Sequence, residues 1–278
     1  MELQALIPNV LTIAGTDPTG GAGIQADLKA FSAHGAYGMS VVTAVVAQNT
    51  RGVGSIVAME PEFVAEQIAA VFDDVRVDAV KIGMVANAEI ADAITQSLDK
   101  YAQCPVVLDP VMVAKSGDHL LNQQDVDAIR ERLVPRATLI TPNLPEAAVL
   151  LGRDTEMASI EEMRESLADL RDLGADWVLL KGGHLDGAES LDILTGEETA
   201  EFTAPRVDTI NDHGTGCTLS AAIAALVPRY GYVEAVRRAK EYLTAALRHA
   251  DELDVGSGHG PVHHFHALWD HTTQKVQS

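Results

Sequence analysis

Cysteine is nearly missing from this chain: 278 residues hold two, Cys104 and Cys217, far apart and in different contexts. That argues against a disulfide framework, and neither residue forms a Cys-x-x-Cys metal or redox motif. Positive charge is also short, with 20 Lys and Arg against 40 Asp and Glu, a formal net charge of −20. Such a field repels phosphates, so neither nucleic acid nor an anionic membrane is expected as a partner. A phosphate-bearing ligand would have to be gripped locally, by backbone amides, a few cations or a metal. The acidity itself reads as a solubility feature. No apolar run is long enough to span a bilayer, and the opening MELQALIPNV lacks the basic region and cleavage site of a signal peptide. A soluble, cytoplasmic protein is expected. With no linker, low-complexity tract or repeat, one domain over residues 1–278 is the simplest organisation.

What is present is alternation. Apolar runs of strand length occur at 10–15, 39–48, 79–85, 105–113, 138–143 and 177–183, rich enough in Val, Ile and Leu for strands buried on both faces. Helix-period stretches lie between them: Ile24, Leu28 and Phe31 form one stripe, and another contains Phe63, Val64, Gln67, Ile68 and Val71. Pro61 and Glu62 suit a first helical turn. The pattern predicts βαβ units around a mostly parallel sheet, a short β excursion at 191–207, and late helices near 215–227 and 232–252. Ligands of such sheets lie beyond the carboxyl ends of the strands.

The stretch GTDPTGGAGIQAD (15–27) joins the first strand to the first helix. Gly21, Gly23 and Ala26 match the spacing of a dinucleotide turn, but the next strand ends in Gln48-Asn49 rather than a ribose-binding acid, which disfavours NAD. No Lys-Ser/Thr follows the glycines, so this is not a Walker A loop. The glycines either relax a connection that needs positive φ or frame a pocket. Asp27 favours a pocket, because a carboxylate facing an amino-heterocycle makes a specific contact. Gln48 would add a paired donor and acceptor.

A second cluster, NDHGTGCTLSAAIAALV (211–227), puts Gly214 and Gly216 before an Ala-rich helical segment. Amides of Gly214, Thr215, Gly216 and Cys217 would face an anion from a helix N-terminus and stabilise a transferring phosphoryl group. There the Cys217 thiol is expected to gain thiolate character and could serve as a base, unless it is only a small residue packing the helix start. Asp109, Glu146 and Lys181 also follow apolar strands, with Asn143 three residues before Glu146. An acid and an amide there can hold a hydrated Mg²⁺, and a lysine can pair with phosphate. Taken singly, Glu146 could be an ordinary first-turn acid and Lys181 a surface lysine. The tail GHGPVHHFHALW, with His259, His263, His264 and His266, lacks zinc-site spacing and reads mainly as a structured segment.

Together TIAGTDPTGGAGIQADLKAFSAHGAYGMSVVTAVVAQNTRGV, KIGMV, VLDPVMVAKSGD, LITPNLPEA, LLKGGH, HGTGCTLSAAIAA and GPVHHFH resemble, over essentially the whole chain, the bacterial hydroxymethylpyrimidine/phosphomethylpyrimidine kinases of thiamine biosynthesis, members of the ribokinase-like superfamily. The resemblance implies a three-layer α/β/α sandwich, a homodimer, and ATP- and Mg²⁺-dependent phosphorylation of 4-amino-5-hydroxymethyl-2-methylpyrimidine and then of its monophosphate. It places Asp27 and Gln48 on the pyrimidine, Met84 and Val111 against its ring, and Lys181 and Glu146 at the ATP–Mg²⁺ end. Asn143 and Asp109 belong with that end, and residues 214–217 with the anion hole, Cys217 standing where the wider superfamily often has an aspartate base. Asp212, where the family has threonine, brings negative charge beside the anion hole; His119 stands where proline is common. Pyridoxal kinase activity and a non-catalytic precursor-binding protein are the alternatives.

Overall fold

The computed structural model describes residues 7–112, 122–183 and 185–269, so His119 lies outside the described part. In chain order the elements are β1 (Asn9–Ala14), α1 (Gly23–Ala33), β2 (Tyr37–Val42), β3 (Ala44–Asn49), β4 (Gly52–Ala58), α2 (Pro61–Phe72), β5 (Ala79–Ile82) and α3 (Ala88–Tyr101). They continue with β6 (Val106–Leu108), α4 (Gln123–Ala128), β7 (Leu139–Ile140), α5 (Leu144–Leu150), α6 (Ile160–Arg171) and β8 (Trp177–Lys181). The last are β9 (Glu189–Thr195), β10 (Thr199–Pro205), α7 (Thr215–Tyr230) and α8 (Tyr232–Arg248).

Eight strands form one sheet in the order β10-β9-β8-β7-β6-β5-β1-β2. Pairing is parallel from β2 across to β8 and antiparallel for β9 and β10, the expected excursion. Successive side chains of a strand enter opposite cores. Val106 and Leu108 join one apolar cluster with Ile68, Ile94 and Met163 of α2, α3 and α6. Val107 joins the other, with Phe31, Ile223 and Val236 of α1, α7 and α8. Helices therefore cover both faces, which is the expected three-layer sandwich and the reason these strands read as continuous apolar runs.

The apolar run 39–48 does not form one strand. It breaks at Thr43, whose N–H donates to the Ala14 carbonyl at 3.0 Å and whose Oγ1 donates to the Met84 carbonyl at 2.7 Å. Before the break the chain is β2 of the main sheet; after it the chain is β3 of a separate antiparallel ribbon with β4. Gln48 thus sits on a ribbon that overhangs the sheet, and the pairing register skips Gly54 opposite it. The runs at 105–113 and 138–143 likewise shrink to β6 and β7, so Asp109 lies just past the end of β6 and Asn143 in the turn entering α5.

The histidine-rich tail is an ordered part of the fold. His264 is 4% exposed, its Nε2 lies 3.0 Å from Thr218 Oγ1 on α7, and its carbonyl accepts the Tyr242 hydroxyl of α8. Among the described residues no group of three or more His, Cys, Asp or Glu is arranged to hold a metal. Burial pushes the His264 imidazole down to about 3 and that of His34, packed edge-on against Tyr242, to about 4, from 6.5.

Both must stay neutral in the fold, whereas the unfolded chain protonates them below 6.5. Their contribution is therefore complete above that pH and is lost on acidification, by up to ~1.4 kcal/mol per pH unit for each. His264→Asn should flatten the fall of Tm between pH 6.5 and 4 relative to the parent chain; parallel Tm curves would contradict this assignment.

Candidate active site

Two glycine turns meet above the carboxyl ends of the strands. Gly214, at φ +77, caps α7, and a Cβ there would lie 1.8 Å from the Gly21 carbonyl oxygen. A Cβ on Gly21 would in turn lie 2.6 Å from His213 Cδ2. Only glycine permits this approach from both sides. The loops are tied by Asp17, wholly buried, which accepts from the N–H groups of Thr19, Gly21 and Ala22, from the Thr19 hydroxyl, and from His213 Nε2 at 2.9 Å. Burial works against this carboxylate, but those donors outweigh it and hold its pKa well below the usual range. The first intrahelical bond of α7 runs from Thr218 N–H to the Gly214 carbonyl, so the Gly216 and Cys217 amides precede the ladder and are available to an anion.

Beneath the turns runs a row of buried charges of alternating sign. Asp27, on α1, is fully buried; both its oxygens lie 2.9 Å from Lys81 Nζ of β5, and one accepts the Thr12 hydroxyl of β1 at 2.6 Å. Burial pushes the Asp27 carboxyl up while Lys81 and Thr12 oppose it. Burial also disfavours the Lys81 ammonium, yet Asp27, Cys217 and Asp109 outweigh that and hold it charged. Asp109 follows, 3.1 Å from Lys181 Nζ of β8 and hydrogen-bonded to the Thr141 and Ser220 hydroxyls. Despite burial, Lys181 and Lys81 keep the Asp109 carboxyl below its ordinary value. Burial disfavours the Lys181 ammonium in turn, but Asp109 and Glu146 outweigh it and raise its pKa. Glu146 ends the row, 3.9 Å from Lys181, its pKa pushed up to about 7 by burial and the Asp109 charge against the pull of Lys181.

Asn143 and Glu146 form a reciprocal capping box at the start of α5: each side chain accepts the other's backbone N–H at 2.8 Å. The first-turn role and the place beside Lys181 hold together, since the cap aims the carboxylate. Gly216 joins this group to the anion loop, for a Cβ on it would lie 3.4 Å from Lys181 Nζ and 3.5 Å from Asp109 Oδ2. Asp109, Asn143, Glu146, Lys181 and residues 214–217 are thus brought together.

On the other side stand the residues expected around a ring. Met84 reaches over Gly15, where a Cβ would lie 2.5 Å from its Cε. Gln48 shares the inward face of β3 with Ala44 and Val46, and half-buried Val111 follows Asp109. Asp27 differs from the expectation of an open pocket carboxylate, because Lys81 and Thr12 already occupy it. Cys217 also differs. Burial pushes its thiol up to about 11; Lys81 opposes this, but Asp27 and Asp109 reinforce it, so the helix start does not yield a thiolate at neutral pH. Asp212 turns its carboxylate to His259 Nδ1, at 3.1 Å.

Sequence reasoning missed Lys81 and the role of Asp17. A lysine inside the run AVKIGMV was a usable signal, since an interior strand charge must find a partner. Asp17 stood in plain view in the glycine turn, but nothing local showed that it would collect five donors, one from 196 residues away.

The chain is similar to hydroxymethylpyrimidine/phosphomethylpyrimidine kinases of Escherichia coli K12, at 57% identity over 94% of this chain and 98% of the relative, and of Rhizobium meliloti, at 52% over 93% and 97%. Among solved structures it resembles an ADP complex of Bacillus subtilis pyridoxal kinase, with TM-score 0.87, 35% identity, and 95% and 100% of the two chains covered. It also resembles phosphomethylpyrimidine kinase from Clostridium difficile, with TM-score 0.76, 44% identity, and 87% and 100% covered. These likenesses agree with the ribokinase-like sandwich. The family model described as phosphomethylpyrimidine kinase matches residues 17–263, and the chain belongs to that family.

Proposed function

We propose that this chain transfers the γ-phosphoryl group of ATP to the hydroxymethyl oxygen of 4-amino-5-hydroxymethyl-2-methylpyrimidine, and then a second phosphoryl group to the monophosphate. The observation that carries the reading is the meeting of the α7 amides with Lys181 and Asp109 at Gly216. As the acceptor oxygen bonds to the γ-phosphorus and the bond to ADP breaks, charge spreads over the phosphoryl oxygens. The Gly216 and Cys217 amides and the Lys181 ammonium suit that charge. Gln48, Met84 and Val111 would hold the ring, while Asp27 would act from beneath it as the partner of Lys81. The Mg²⁺ accompanying ATP fits Glu146 and Asp109: both offer hard oxygen donors, and Glu146 is a carboxyl that a nearby cation would relieve of its costly burial. Such an ion would neutralise phosphate charge.

No helix among the described residues is long and apolar enough to cross a membrane, in keeping with a cytoplasmic enzyme of small-molecule substrates. The outer side of the ribbon, where Val45 is 50% and Val57 63% exposed, supports a homodimer. Pyridoxal is a second acceptor to test, given the likeness to pyridoxal kinase.

Incubation with the hydroxymethylpyrimidine and Mg·ATP should yield monophosphate and then diphosphate by mass spectrometry, faster than pyridoxal is phosphorylated; turnover of pyridoxal alone would refute the assignment. Lys181→Met should lower kcat about 100-fold, the usual scale for losing a transition-state charge partner, with the KM for the pyrimidine little changed. A mainly raised acceptor KM would instead put Lys181 on the wrong side of the site. If Cys217 acts as base, its pKa of about 11 means that alcohol turnover climbs as pH rises above neutrality, whereas the anionic monophosphate needs no base. Cys217→Ala should abolish that climb and damage the first phosphorylation more than the second. Equal losses in both would leave only an anion-hole role.

A further inference from the structure

The ribbon has little of its own to hold its tip. Every residue of β4 is exposed or half-buried, and an isolated two-stranded hairpin is marginal in water. Nevertheless Thr50, in the turn between β3 and β4, is only 8% exposed. The segment 256–261 covers it. His259 N–H donates to the Thr50 carbonyl at 2.8 Å, and Gly258 N–H donates to Thr50 Oγ1 at 3.1 Å. A Cβ on Gly258 would lie 2.1 Å from the Thr50 oxygen, and one on Gly256 2.3 Å from its Oγ1.

Two residues on, the same segment grips the phosphoryl side. Gly260 N–H donates to Asn211 Oδ1 at 3.1 Å, its carbonyl accepts His213 N–H at 3.0 Å, and a Cβ on it would lie 2.2 Å from Asn211 Oδ1. His259 Nδ1 meets Asp212, and Pro261 packs on Gly21. The three glycines of GSGHGP thus each fill a contact that excludes a side chain.

We propose that Thr50 and the strap 256–261 are positioning elements, holding the acceptor-side ribbon at a fixed distance from the anion loop 211–216. Two residues of extended chain, about 7 Å, separate the anchor at Gly258 from the anchor at Gly260. Gln48 lies two residues from Thr50, and Gly214 follows His213 directly. The strap therefore sets how closely the acceptor oxygen approaches the phosphoryl group, and an error of about 1 Å there can cost 100-fold. The kinetic part of this inference rests on the proposed acceptor; the linkage of the two loops does not.

Thr50→Val removes the acceptor of the Gly258 N–H and leaves the shape. It should lower kcat/KM for the hydroxymethylpyrimidine about 10-fold or more, hold the KM for Mg·ATP within about 2-fold, and be rescued by Thr50→Ser. Equal losses toward both substrates, or no rescue, would overturn the positioning role. Independently of any substrate, Gly258→Ala should speed hydrogen exchange at both 44–58 and 211–216 by about 5-fold or more. Faster exchange in the ribbon alone, or in neither segment, would overturn the linkage. Failure of the parent chain to phosphorylate the pyrimidine would count against the proposed acceptor, while the exchange experiment would still decide the linkage.

Discussion

Everything at this site depends on keeping ionised groups in a place almost free of water. A lone ammonium or carboxylate there would neutralise itself or pull the strands apart. The fold avoids both outcomes by setting Asp27, Lys81, Asp109, Lys181 and Glu146 in alternation of sign, with the Thr12, Thr141 and Ser220 hydroxyls taking remaining lone pairs. Each charge is held by its neighbours: Asp109, between two lysines, stays below its ordinary value, while burial displaces Asp27 and Glu146, at the two ends of the row, toward neutrality. The row ends where phosphate charge would arrive. The deficit of cations along the whole chain is thereby made good at one spot, with the buried Lys81, the half-buried Lys181 and a helix start.

The strand ends, the late glycine turn and the helix caps were legible because each is a local signal. Gly214 and Gly216 before an Ala-rich run, or Asn143 three residues before Glu146, need only their neighbours in sequence to be understood. The break at Thr43 was not legible. Residues 39–48 read as one apolar strand, and what separates them is a pair of hydrogen bonds, to Ala14 at the end of β1 and to Met84 in the segment after β5. The thiol of Cys217 was misjudged for a related reason. A helix start lowers a thiol pKa, but burial by the packed fold acts the other way, reinforced by the carboxylates of Asp27 and Asp109 brought in from α1 and the end of β6. Local chemistry set the type of residue at each place, and distant chain set its state.

The same division explains the histidine-rich tail. It offers several imidazoles without the spacing of a zinc site, and in the fold they serve packing and hydrogen bonding, as with His264 on Thr218. More informative were Gly256, just before it, and Gly258 and Gly260 within it, whose spacing has no meaning until Thr50 and Asn211 are seen against them.

That arrangement bears on how the protein is made. Gly258 and Thr50 are separated by 208 positions, and the strap follows in sequence every helix and strand that it fastens. Contacts of such long range form late in folding, after the loop between them has been closed by other interactions. As the chain leaves the ribosome, the sandwich can assemble around its two cores while the ribbon and the anion loop are still unjoined. Until residues 256–261 have been made and docked, the acceptor-side ribbon and the anion loop would each have their local structure without being held to one another.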